Sequence, residues 1–287
     1  MRIVNIFGGL GNQMFQYALI KALEARFHEP VMADIHLFQG YSRHNGLEIE
    51  RIFPIKLQLA SKSDIKKLAF YAPSYDTHKL LKWLHIKKKT TIQEILSKPY
   101  HQDVFRETST YYDGYWQDPL YYEGIDDLLI ECFQFKNELN SQNNNLCKDL
   151  HTQNSIGVHV RRGDYLKKAR YRGLCDVDYY KQAFHIVQQK YKYPHFYFFS
   201  NDIAWCKDNL IPLLADNECT FVDWNNGTNS YIDMQLMSNC KSLIIANSSF
   251  SWWAAYLNKT ADLIIAPKTW FNTNPPLKIQ LDDWLLI

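Results

Sequence analysis

The sequence has no Cys-x-x-Cys pair among its six cysteines, Cys132, Cys147, Cys175, Cys206, Cys219 and Cys240, so a zinc ribbon or a thioredoxin-type motif is excluded. It has no apolar run of about 18 residues, so no membrane-spanning helix is expected. The opening Arg2-Ile3-Val4-Asn5-Ile6-Phe7 reads as a strand and lacks the apolar core of a secretory signal. Charge of one sign is scarce too: 32 Lys+Arg against 30 Asp+Glu leave a formal net of +2. That is too little for nucleic acid as the main partner. Neither Gly-x-Gly-x-x-Gly nor Gly-Lys-Ser/Thr occurs, which removes the dinucleotide fingerprint and the P-loop. No repeat of solenoid period is present. Free thiols in a reducing cytoplasm are therefore the expectation, with the sequons at Asn226, Asn247 and Asn258 as chance matches. Peripheral contact with a membrane and the oligomeric state are left open.

What the chain does have is a core. Its 287 residues are 46% hydrophobic and 15% aromatic, enough for two domains of ordinary size. Strand-like apolar runs alternate with helix-like segments of about ten residues, the pattern of βαβ units on a parallel sheet. In the second half the strands are expected at 156–160, 195–199, 220–223, 243–246 and 263–266. The helices between them are expected at 176–192, 204–210, 231–239 and 248–257. Tyr179, Tyr180, Ala183, Phe184 and Val187 fall on one side of the first of these. The first half starts with a strand at 3–7, a glycine turn, a helix at 12–27 and a strand at 31–34. Weaker signals follow: helices at 63–68 and 78–84, and a strand at 111–116. Residues 137–154 are rich in Asn, Gln and Ser and read as an exposed linker. This divides the chain into a domain of residues 1–150 and one of residues 151–287, whose last residues are expected to pack back on the first.

Three segments carry chemistry. Gly8-Gly9-Leu10-Gly11-Asn12-Gln13 lies between a strand and a helix, where glycines let backbone approach a ligand and helix N–H groups meet an anion. A tight turn explains it equally well. His159-Val160-Arg161-Arg162-Gly163-Asp164 continues a strand into a loop. Alternation sends His159 and Arg161 to one face, about 7 Å apart, and Arg162 to the other. An Arg fork there suits phosphate and can stabilise charge growing on a departing diphosphate. Asp164 is placed to support either arginine. Asn247-Ser248-Ser249-Phe250-Ser251-Trp252-Trp253 follows a strand, so its serines read first as helix caps and the two tryptophans as core.

Taken in order, these segments resemble the α-1,2-fucosyltransferase family, glycosyltransferase family eleven, as do Asp233-Met234-Gln235-Leu236-Met237-Ser238 and Gly114-Tyr115-Trp116-Gln117. The resemblance covers residues 2 to about 257. It implies an α/β fold of the GT-B type, two Rossmann-like domains facing across a cleft, and inverting transfer of fucose from GDP-fucose to the 2-hydroxyl of a terminal galactose in a glycan. It implies that Arg161 binds the β-phosphate and that His159 and Asp233 contact guanine. Ser248, Ser249 and Phe250 would line the nucleotide site, with Gly11, Asn12 and Gln13 facing the diphosphate and sugar from the other domain. It implies no cofactor and no metal, and no clear Asp-x-Asp pair is read in the chain. Candidates for a carboxylate base are Asp34, Glu48, Glu50, Asp113 and Asp118. The alternatives are another linkage or acceptor on the same scaffold, and a non-catalytic nucleotide-sugar binding module.

Overall fold

The computed structural model describes residues 1–40, 44–94, 100–273 and 277–287, with the side chain of Asp164 left out. The chain forms two compact units, Met1–Lys136 and Asn137–Ile287. Each is an α/β layer structure around one parallel sheet.

The first unit runs β1 (Arg2–Asn5), α1 (Leu10–Phe27), β2 (Met32–Asp34), α2 (Ile49–Ile52), α3 (Lys62–Leu68), α4 (Tyr75–Trp83), β3 (Thr91–Gln93), β4 (Thr110–Asp113) and α5 (Asp126–Cys132). The sheet order is β2-β1-β4-β3, all parallel. Every residue of β1 and β4 is buried, as expected when helices cover both faces. Helix α1 ends where His28 turns left-handed at φ 53° and its N–H bonds to the Glu24 carbonyl. The strand expected at 111–116 stops at Asp113. Gly114 there lies against Glu94, and Trp116 takes a left-handed φ of 58°, which ends the extended backbone. Strand β3 and helix α5 are too short to carry a period and were not foreseen.

The second unit runs α6 (Ser141–Thr152), β5 (Ser155–Val160), α7 (Val177–Lys190), β6 (His195–Ser200), α8 (Ile203–Asn209), β7 (Cys219–Val222), α9 (Tyr231–Met237), β8 (Ser242–Ile244), α10 (Ser249–Leu257), β9 (Leu263–Ala266) and β10 (Leu285–Leu286). Its sheet order is β10-β9-β8-β5-β6-β7, again all parallel. Counted within the unit this is the doubly wound order, and the connection reverses between β5 and β8. Sheets of this kind bind ligands beyond the carboxyl ends of the strands at that reversal. Ile156, Val158 and Val160 of β5 pack on Tyr180, Phe184 and Val187 of α7 in the main core of the unit.

One expectation is corrected here. The Asn-rich stretch is not a linker: Ser141–Thr152 is a helix, capped by the Asn140 side chain on Asn143 N–H, with Asn143, Leu146 and Leu150 buried. The unit therefore begins at Asn137 rather than at 151. Leu285 and Leu286 pair with Ile265 and Ala266 as the outer strand of the second sheet.

Among the described residues no helix is long and apolar enough to cross a membrane.

Candidate functional site

The two reversal points hold the motif residues. In the second unit, β5 delivers His159 and Arg161 at its carboxyl end, and the segment after β8 delivers Asn247, Ser248 and Ser249. His159 is 7% exposed, and its ring lies 5.9 Å from that of Phe250 in α10. Burial, then the Arg161 charge, pushes its pKa down to about 3, so the imidazole is neutral at pH 7. Its Nδ1 is buried with no hydrogen-bond partner among the described residues. The Arg161 guanidinium stands 5.4 Å over the Tyr165 ring, and Tyr165 stacks on Tyr171.

Arg162 goes the other way, as alternation requires. Its Nε donates to Asp202 Oδ2 at 3.2 Å, and its guanidinium lies 3.9 Å over the Trp205 ring. Asn201 Oδ1 accepts from the Arg162 backbone N–H at 3.0 Å. Gly163 is left-handed at φ 40°, and a Cβ there would come within 2.5 Å of Asn201 Nδ2. The loop after β5 is thus clamped by the two residues that follow β6. The support expected from Asp164 falls on a side chain outside the described set, and Asp202 is the carboxylate seen to hold Arg162.

Asp233 sits in the first turn of α9. Burial drives its pKa up to about 7, against a hydrogen bond from Asn225 Nδ2 at 2.9 Å. Asn225 is in turn held by Asn143: each side-chain amide donates to the other, at 2.9 and 3.0 Å. Asn143 also accepts from Trp224 Nε1. Sequence reading missed Asn143 and Asn225. A composition rich in Asn looks like loop, and no local signal marks one Asn as buried.

In α10 the capping reading holds for Ser248. Ser248 Oγ accepts from Phe250 N–H, and Ser251 Oγ donates to the Ala246 carbonyl. Trp252 and Trp253 are fully buried, so they are core. Ser249 and Phe250 are partly exposed beside the cap. An Asp-x-Asp spelling passed over in the sequence, Asp176-Val177-Asp178, is a helix start: Asp176 Oδ1 accepts from Tyr179 N–H at 3.1 Å. Among the described residues no cluster of three or more His, Cys, Asp or Glu is placed to hold a metal ion.

In the first unit the reversal lies between β1 and β4, and both following loops meet there. Gly8 has a φ of 89°, and a Cβ on it would press on Asn12. Gln16 ties the loops together by accepting from Phe7 N–H and donating to the Gly114 carbonyl. Asn12 accepts from Gln117 Nε2 at 2.9 Å and remains half-buried. Gly11 is buried at the start of α1. Glu94, unmarked in the sequence, accepts from both Tyr115 and Trp116 N–H.

Gln13 corrects an expectation. It is fully buried. Its Nε2 donates to the Gly8 and Gly46 carbonyls, and its Oε1 accepts from Glu48 and Ile49 N–H. An amide has two donors and two acceptor sites, so the side chain has no bond left for a ligand. It is a staple between the glycine turn and α2.

The five candidate carboxylates all have local duties. Asp34 accepts from Tyr111 OH, from His36 N–H and from His36 Nδ1. Glu48 is buried, which raises its pKa, and bonds Asn45 and Arg51. Glu50 accepts from Leu57 N–H. Asp118 accepts from Leu120 and Tyr100 N–H. Asp113 would be raised by burial, but the Lys82 charge and bonds from His78 and Asn5 hold it at about 2. Asp113 lines a cavity with His36, His78 and Gln93; the other four carboxylates are not on its lining.

The sequence model of Glycosyl transferase family 11 matches residues 1–287. The chain belongs to this family. Among curated family relatives, an alpha-1,2-colitosyltransferase of Escherichia coli is 31% identical over 277 residues, covering 94% of this chain and 92% of that one. The O-antigen biosynthesis glycosyltransferase WbnK of Escherichia coli is 28% identical, covering 97% of each. Galactoside alpha-(1,2)-fucosyltransferase 2 of Hylobates lar is 25% identical, covering 97% of this chain and 75% of that one. The fold is shared with the NodZ alpha-1,6-fucosyltransferase crystal soaked with GDP-fucose, at a TM-score of 0.52 and 16% identity over 96% of both chains. This family member is therefore a glycosyltransferase on an α/β fold of the GT-B type, with both of its sheets parallel.

Proposed function

We propose that this family 11 enzyme transfers L-fucose from GDP-fucose to the 2-hydroxyl of a terminal galactose, with inversion at the anomeric carbon. The observation that carries the reading is the unequal pair at the reversal of the second sheet. Arg161 shares its strand end with a buried neutral His159, while Arg162 is spent on Asp202 and Trp205. Arg161 binds the β-phosphate and stabilises the charge that gathers on GDP as the glycosidic bond breaks. A guanidinium serves this at any working pH, because it does not titrate. Neutral His159 and Asp233 read guanine, the carboxylate accepting its N–H groups. Ser248, Ser249 and Phe250 line the nucleotide site. No cofactor or metal is invoked.

With five carboxylates committed to structural bonds, departure of GDP drives the reaction more than proton removal does. The acceptor class is an O-antigen-type or milk-type oligosaccharide, consistent with the kinship to WbnK. The setting is cytoplasmic, which suits six free thiols.

Incubation with GDP-fucose and lactose or N-acetyllactosamine, read by mass and linkage analysis, tests the reading. Absence of transfer to every galactoside in a broad panel would refute it. A second reading rests on the colitosyltransferase kinship. Colitose is fucose without the 3-hydroxyl. A site that hydrogen-bonds that hydroxyl rejects the deoxy sugar by about 10⁴, so competition between the two GDP-sugars in one reaction decides the donor.

A further inference from the structure

Helix α4 has no buried residue. Its Leu80, Trp83 and Leu84 stand at i, i+3 and i+4, one face of a helix, and that face points outward. Trp83 is 75% exposed, the most of any tryptophan among the exposed apolar residues. The helix closes with His85 left-handed, Ile86 N–H bonded to the Leu81 carbonyl and His85 N–H to the Lys82 carbonyl. This paired closure satisfies the last carbonyls of the helix, yet it leaves Ile86 exposed. Phe70, also exposed, lines a cavity with Ile86 and Lys87, and the Lys88 ammonium lies 5.6 Å over its ring and bonds to the Lys66 carbonyl.

A monomer in water gains nothing by fixing five large apolar groups outward in one patch. Charge says what covers them. Residues 62–89 hold eight lysines and two aspartates, a net of +6, whereas the whole chain is +2, so the remainder carries −4. Lys79, Lys87 and Lys89 are exposed around the apolar face. Lysine is depleted at protein–protein interfaces. An exposed Trp with Leu and Phe, ringed by lysine, is the composition of a helix lying in an anionic bilayer surface.

We infer that the face of α4, with Phe70 and the Lys87–Lys89 run, docks the enzyme on a membrane surface rich in anionic lipid headgroups. Trp83, Leu80, Leu84 and Ile86 enter the headgroup boundary, and the lysines meet the lipid phosphates. This does not depend on which sugar is transferred.

The test is co-sedimentation of the full chain with vesicles. Mixed phosphatidylglycerol–phosphatidylcholine vesicles bind the protein, and pure phosphatidylcholine vesicles bind it at least tenfold more weakly. The double variant Lys87→Gln, Lys89→Gln lowers partition by on the order of thirtyfold, and Trp83→Ser by about tenfold. Both variants keep the wild-type unfolding midpoint and GDP affinity, because the changed groups are at the surface. Equal binding to both lipids, no binding to anionic vesicles, or full binding by Trp83→Ser overturns the inference. So does a concentration-dependent dimer that Trp83→Ser dissociates, since the face would then be a contact between copies of this chain.

Discussion

Replacing Arg161 and Arg162 one at a time separates chemistry from support. Arg162 makes one partly exposed ion pair with Asp202 and lies 3.9 Å over Trp205. The pair contributes at most about 1 kcal/mol because solvent screens it. The stacking contributes about 0.5–1 kcal/mol. Arg162→Ala therefore costs about 1–2 kcal/mol of stability, or about 3–6 °C in the midpoint of the second unit. Arg161→Ala removes the cation that we propose faces the departing diphosphate. The cost of losing one such group is about 10²–10³ in kcat. The assay is single-turnover transfer from saturating GDP-fucose, beside thermal unfolding of the same samples. Arg161→Ala is expected to lose turnover by that factor while still folded, and Arg162→Ala to keep turnover with a lowered midpoint. Equal losses of turnover with both variants folded would show that the face assignment is wrong.

Other outcomes follow from the same geometry. Asp233 has its pKa raised to about 7 by burial, and in the proposed contact guanine N–H groups would favour its ionised form. GDP affinity should therefore rise about tenfold per pH unit as pH climbs toward 7 and level off above it. Asp233→Asn should remove that slope in calorimetric titrations, with the phosphate's own titration common to both proteins; the same slope in the variant refutes the guanine contact. In the unliganded protein the raised pKa costs stability as pH rises from about 4 to 7, so Asp233→Asn should unfold at higher temperature at pH 8 but not at pH 4. Asn143→Ala strands Trp224 Nε1 and Asn225 in the interior, a loss of about 2–4 kcal/mol; at a temperature where it is folded, its GDP affinity should fall as well. Gln13→Ala should lower the unfolding midpoint of the first unit while GDP affinity of the folded protein stays within about twofold, because its four bonds are internal.

Helix α7 and Gln13 mark the limits of sequence reading. The spacing of Tyr179, Tyr180, Ala183, Phe184 and Val187 names the buried face of α7, and those five are the residues buried there. That information is local: a period of 3.6 residues can be satisfied in only one way. The split of Arg161 from Arg162 was legible for the same reason, with a period of two. The glycine turn before α1 was legible as backbone geometry, but the bonding of Gln13 was not. Its partners at Gly46, Glu48 and Ile49 lie 33 to 36 residues away.

Asn143 shows the same boundary more sharply. Its composition says loop, yet it is buried because Trp224 and Asn225 come to it across 81 and 82 residues. Periodicity and motif order in the sequence determined the two α/β halves, the parallel strands and the strand that carries His159 and Arg161. Tertiary structure decided which polar side chains are committed. A donor or acceptor is used up by whatever folding brings within about 3 Å, and that distance is not written in residue type or spacing.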